Sequence, residues 1–186
     1  MRADGEVSQA AVNQPGGRLR AEMRERASRR VGGIEVEIQD TEAVTDTAPD
    51  GSFDLLTDAE GPQSVRFRRS RDDIVARLPI DLPSGAELSL RGIRIDDSTG
   101  EATVDLQEVA FEGVLDAANC RTERLLVSSR SDEARRSYRF DLHDAWLGDA
   151  SGRNIACEDL RRDDRLNVRG IVQPDGRIAF GTAERQ

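Results

Sequence analysis

Hydrophobic and polar positions alternate along most of this chain with a period of two. In GIEVEIQ (33–39), Ile34, Val36 and Ile38 fall on one side and Glu35 and Glu37 on the other. That spacing predicts a half-buried strand. Phe53, Leu55, Val65 and Phe67 continue the alternation, with Asp50-Gly51 marking a turn before them. In ARLPIDLP (76–83), Leu78, Ile80 and Leu82 alternate, and Pro79 confines that strand to an edge or a bulge. Leu88 and Leu90 share one parity and Ile93 and Ile95 the other, so a bulge is expected at Gly92. Val104 with Leu106, Val109 with Phe111, Leu125 with Val127, and Tyr138, Phe140 and Leu142 follow. Leu166 and Val168 lead to Gly170, a second expected bulge, and Pro174-Asp175-Gly176 closes a hairpin onto Ile178 and Phe180. This gives about eleven strands with turns every 8–12 residues, the pattern of sandwiches and small barrels. CEDLRRDD (157–164) has room for one helical turn. Residues 18–30 read either way: Leu19, Met23 and Ala27 recur every four, while Leu19, Ala21 and Met23 alternate.

Two segments carry family motifs. Residues 31–95 contain Val31-Gly32-Gly33-Ile34-Glu35-Val36, then Thr45-Asp46 through Gly51, Phe53 and Leu55. They resemble the carboxypeptidase-regulatory-like, transthyretin-like β-sandwich, although Ala48-Pro49 lengthens the hairpin loop. The resemblance implies that 18–25 is a first strand, which resolves the ambiguity above. Residues 111–185 contain Glu112-Gly113-Val114-Leu115, Asp159-Leu160, Asp164-Arg165-Leu166, Val168-Arg169-Gly170 and Asp175-Gly176-Arg177-Ile178. They resemble an OB-like β-barrel domain of unknown function from bacterial envelope and secreted proteins. The expected architecture is therefore all-β: a flexible leader (1–17), a small Ig- or transthyretin-like sandwich (18–97) and a small OB-like barrel (98–186), joined at Asp96–Gly100. Neither family brings a defined catalytic residue, and both imply export.

Composition narrows the function. The net charge is −9, from 36 acidic and 27 basic residues, and every basic residue is Arg. Arg without Lys points to codon bias in a GC-rich genome, with a salt-loving host, whose acidic surfaces keep proteins hydrated, as the alternative. The acidic excess repels a phosphate backbone. Two cysteines, Cys120 and Cys157, and one histidine, His143, cannot complete a four-ligand zinc site without carboxylates. No metal and no cofactor is expected. In an oxidising compartment Cys120 and Cys157 are expected to pair, closing a loop of 37 residues between two turns. No apolar run reaches the ~18–20 residues that span a bilayer. The N-terminus shows no signal-peptide core, which leaves three readings open: a cytosolic protein, a mature segment without its leader, or a start assigned too late.

The residues that carry chemistry elsewhere read here as surface. His143 has parity opposite Tyr138, Phe140 and Leu142, and no nucleophile pattern accompanies it, so a solvated strand histidine is expected. The acidic loops Asp46/Asp50/Asp54, Asp96/Asp97/Glu101, Asp149 and Glu158/Asp159/Asp163/Asp164 lack the register of a calcium loop and are expected to serve turns and solubility. The rows Arg66/Arg68/Arg69/Arg71 and Arg135/Arg136/Arg139 are interleaved with acids and are expected to be charge-paired. Trp146 has the apolar parity of its segment and is expected to anchor a core, with a carbohydrate-stacking platform as the functional alternative. The expected function is a non-catalytic envelope or secreted accessory module with a protein or glycan partner. The alternative is a cytosolic oligonucleotide-binding protein that uses the barrel.

Overall fold

The computed structural model describes residues 17–23, 32–57, 59–70, 73–96, 98–129 and 136–186. Residues 1–16 of the expected leader, Val31, Arg71, Asp97 and the stretch 130–135 with Arg135 lie outside the described residues, while Gly17, the last residue of that leader, begins the first strand. The described chain is all-β, with fourteen strands and one 3₁₀ turn. It divides into two compact units, residues 1–82 with 88–106 and residues 83–87 with 107–186. The turn at Asp96–Gly100, expected at the domain junction, thus lies within the first unit. Its carboxylate-capped geometry, described below, serves a hairpin rather than a linker.

The first unit contains β1 (Gly17–Met23), β2 (Glu35–Ile38), β3 (Val44–Asp46), β4 (Ser52–Thr57), β5 (Gly61–Ser70), β6 (Asp73–Leu82), β7 (Glu87–Asp96) and β8 (Glu101–Thr103). Residues 17–23 are a strand: β1 pairs antiparallel with β4, setting Leu19 opposite Leu55 and Ala21 opposite Phe53. A second run of neighbours follows the order β7-β8-β6-β5-β2-β3. The period-two pattern dictates the interior: Val36, Val65 and Phe67 are fully buried, as are Leu19, Leu82, Leu88 and Leu90. Phe53 of β4 meets Phe67 of β5 edge-to-face with ring centroids 6.3 Å apart, an arrangement that favours aromatic pairs over a flat stack. β6 pairs with β8 only at Arg77, so Pro79 sits where that side of the strand is open among the described residues. Gly92 adopts φ +68°, and Gly92 and Ile93 are both buried, which is the expected phase slip.

The second unit contains β9 (Leu106–Asn119), β10 (Arg124–Ser129), β11 (Ser137–Asp141), β12 (Trp146–Asp149), the 3₁₀ turn Cys157–Asp159, β13 (Arg165–Val172) and β14 (Ile178–Arg185). Five of these strands close a ring. β9 pairs with β10, β10 with β11, β14 with β13 and β13 with β9, all antiparallel. β11 and β14 complete it in parallel at Phe140 and Ile178. Phe140, Val127, Leu166 and Ile178 are fully buried inside the ring, and the Phe111 and Tyr138 rings lie 5.3 Å apart. β12 pairs in parallel with β14 from Thr182 to Arg185, on the edge that β11 meets at Ile178.

Ile178 and Ala183 both face the interior although they are five positions apart, so β14 must slip by one residue between them. The register shifts between Arg169 and Ile171 of β13, which pair with Thr182 and Ala179. The extra residue therefore belongs to β14, at Phe180-Gly181, and Gly170 is the single residue opposite. The bulge expected on Gly170's own strand is on its neighbour. Gly181 is required there, because a Cβ at this position would run into the Arg169 carbonyl.

Candidate functional site

The chemically rich part of the molecule is the second unit, where turns gather side chains near the ring. Cys120, in the β9–β10 turn, and Cys157, in the 3₁₀ turn, have Cα atoms 5.6 Å apart and sulfurs at bonding distance. The backbone fixes this approach independently. The Asp163 N–H donates to the Leu115 carbonyl and the Leu115 N–H to the Asp164 carbonyl, both at 2.9 Å.

Turns at the end of β11 bring charges together in pairs. The Arg177 guanidinium donates to Asp175 Oδ2 at 2.6 Å and to Asp141 Oδ2 at 2.8 Å. Arg139 Nη2 donates to the Asp175 carbonyl at 3.3 Å. The Arg177 side chain beside Asp175 holds that carboxyl below the usual carboxylate range, and Asp175 in turn raises the guanidinium. His143 is 75% exposed, in the turn after β11. Its Nδ1 lies 3.5 Å from Glu123 Oε2 and its Nε2 lies 3.4 Å from Asp144 Oδ2. Both ring nitrogens thus face carboxylates.

Three D-x-S turns share one geometry that the acidic-loop reading did not resolve. Asp50, Asp96 and Asp149 each accept hydrogen bonds from the backbone N–H and the hydroxyl of the serine two residues on. Asp149 also accepts from the Arg153 N–H at 3.1 Å and Nη2 at 2.8 Å. Donation by the serine hydroxyls, above all other causes, lowers all three carboxyls, Asp149 most strongly. These carboxylates are consumed in turn chemistry. Among the described residues, no group of three or more His, Cys, Asp or Glu side chains is arranged to hold a metal.

On the first unit, Arg66 and Arg68 converge on Glu37 Oε1 at 3.3 and 2.7 Å. The register aligns Glu37, Arg66, Arg77 and Glu101 across β2, β5, β6 and β8, so acids flank the two central arginines. This row is charge-paired in the described part, as its interleaved sequence suggests. On the ring, Tyr138 and Phe140 of β11 point inward, which leaves Arg139 and Ser137 on the outer side, with no aromatic side chain of β11 beside them.

Two features escaped sequence reasoning. Ser128 of β10 and Ser137 of β11 are cross-strand partners, and both donate to Asp116 Oδ2 of β9. Ser128 is buried to 1% exposure while Ser137 is exposed and Asp116 half-exposed, so this polar network runs from the outer side of the ring to a buried hydroxyl. Trp146 is half-exposed, not a core anchor. The turn at Leu142–Ala145, with Asp144 at φ +60°, resets the strand phase, and β12 starts anew with Trp146 facing outward. Its ring lies over Gly148, and its Nε1 donates to Asn154 Oδ1. No protein-family profile, curated protein or solved structure matches this chain.

Proposed function

We propose that the chain is a non-catalytic accessory module of the cell envelope or of a secreted protein, working by binding a partner or by spacing other domains. The observation that carries this reading is the Cys120–Cys157 pair, 5.6 Å apart at Cα, on a unit small enough to profit from a covalent tie. The turn carboxylates Asp141, Asp149 and Asp175 with Arg177 supply a second support, since they are spent on each other and on turns. We read the five-stranded ring as OB-type and the first unit as transthyretin-like, on the motif residues and the strand pairing together.

The test is thiol titration of denatured, non-reduced protein recovered from its native host, run beside fractionation of the cell. No free thiol in an envelope or culture fraction is the expected result. Two free thiols in cytosolic material would overturn the reading. The oligonucleotide alternative draws on the ring topology alone. Micromolar binding of single-stranded DNA at physiological salt would put it first.

A further inference from the structure

Phe180 is costly where it stands. It has φ +51°, a left-handed conformation that bulky side chains rarely adopt, and its side chain is 58% exposed. It contributes nothing to the core, and a glycine at this bulge would relieve the backbone. The ring is therefore displayed rather than packed.

Its surroundings form a face three strands wide. The register places Trp146 of β12 beside Thr182 of β14, and Thr182 beside Arg169 of β13. In the next row Gly148, covered by the Trp146 ring, lies beside Glu184, which neighbours Asn167. Phe180 precedes Thr182 by two positions on β14. Arg169 and Glu184 are diagonal neighbours on adjacent strands, about 7–8 Å apart by sheet geometry. Arg169 is exposed and Glu184 half-exposed, and neither makes an ion pair among the described residues. Two other arginines of this hairpin behave otherwise: Arg177 and Arg185 both meet carboxylates.

We propose that this face is the interface of a two-fold symmetric homodimer. An isologous contact needs a surface that complements itself. One unpaired cation and one unpaired anion, set diagonally beside two aromatic rings, meet that condition. A two-fold axis lying in the plane of the face, midway between the two side chains and perpendicular to the line that joins them, lays Arg169 over Glu184 of the partner subunit and the reverse, and the contact covers both Phe180 rings. Aromatic and arginine side chains are the groups that carry most binding energy at such contacts. The proposal is independent of the compartment and of the envelope role.

Sedimentation velocity on the full chain, from micromolar to several hundred micromolar, tests it. The wild type is expected to form a dimer. Phe180→Gly is expected to weaken the dimer by about tenfold or more while the monomer melts no lower, because backbone strain is relieved. Arg169→Glu alone and Glu184→Arg alone are each expected to weaken association, and the double swap Arg169→Glu/Glu184→Arg to restore it. A wild type that stays monomeric throughout overturns the proposal. So does a dimer indifferent to Phe180→Gly, or a double swap no better than the single changes.

Discussion

The two units solve the same problem of a small aliphatic core in different ways. The first stacks strands around Phe53 and Phe67 and leaves β4 with β1 as its only paired neighbour among the described residues. The second curls five strands into a partial ring, joined between β11 and β14 at Phe140 and Ile178, which shortens its open edges, and adds the Cys120–Cys157 tie. The lesson is that closure and a covalent clamp substitute for apolar volume, whereas an open arrangement depends on its largest side chains.

That contrast is breakable by experiment. The largest effect is expected from Phe67→Ala, which empties a fully buried site in the first unit at a cost of about 3–5 kcal/mol. Urea unfolding followed by far-ultraviolet circular dichroism should show an early transition, while fluorescence of Trp146, the chain's one tryptophan, stays at its original midpoint. Coincident shifts in both signals would mean that the units unfold as one. Next is Cys120→Ser with Cys157→Ser. Opening a 37-residue loop removes ~3–4 kcal/mol in the chain-entropy account, and here the Trp146 signal should move first.

The success of the strand reading and the failure of its details have separate physical causes. GIEVEIQ announces β2 because one sheet face is buried there and the other is not, so every second residue is under the same demand. The same logic placed Tyr138 and Phe140 inside the ring. Alternation stops being informative wherever the phase resets. Asp144 in a left-handed turn sends Trp146 outward although its parity matches Phe140. At the β14 slip, the glycine visible in sequence, Gly170, marks the strand opposite the bulge, because close backbone approach also demands a missing Cβ. The Ser128–Asp116–Ser137 network joins three strands and leaves no local signal. The cysteines were legible because there are only two of them.

Acid separates the units more gently. Asp50 and Asp96 in the first, and Asp149 and Asp175 in the second, have carboxyls lowered by hydrogen bonds from serine and arginine partners. A folded-state value below the unfolded one near ~3.9 contributes stability that is present above that pH and lost as pH falls through the folded value. Because Asp149 is lowered furthest, the acid limb of the second unit should extend to lower pH than that of the first. Parallel limbs in an acid titration of the two signals would contradict this. The smallest effect is expected from His143→Ala. At 75% exposure the change should stay within about ±0.5 kcal/mol, and a larger loss by thermal melt would reveal a structural role for its carboxylate neighbours.

The assignment of residues 83–87 to the second unit, between stretches of the first, has a practical consequence for anyone dissecting the gene. Neither unit corresponds to one uninterrupted stretch of codons. A stop placed after Leu82 deprives the first unit of β7 and β8, and a start placed at Gln107 deprives the second of its short detached segment. Expression of either half therefore calls for rearranged coding order or a co-expressed fragment. Recombination that shuffles modules at a single breakpoint would transmit this pair only as a whole.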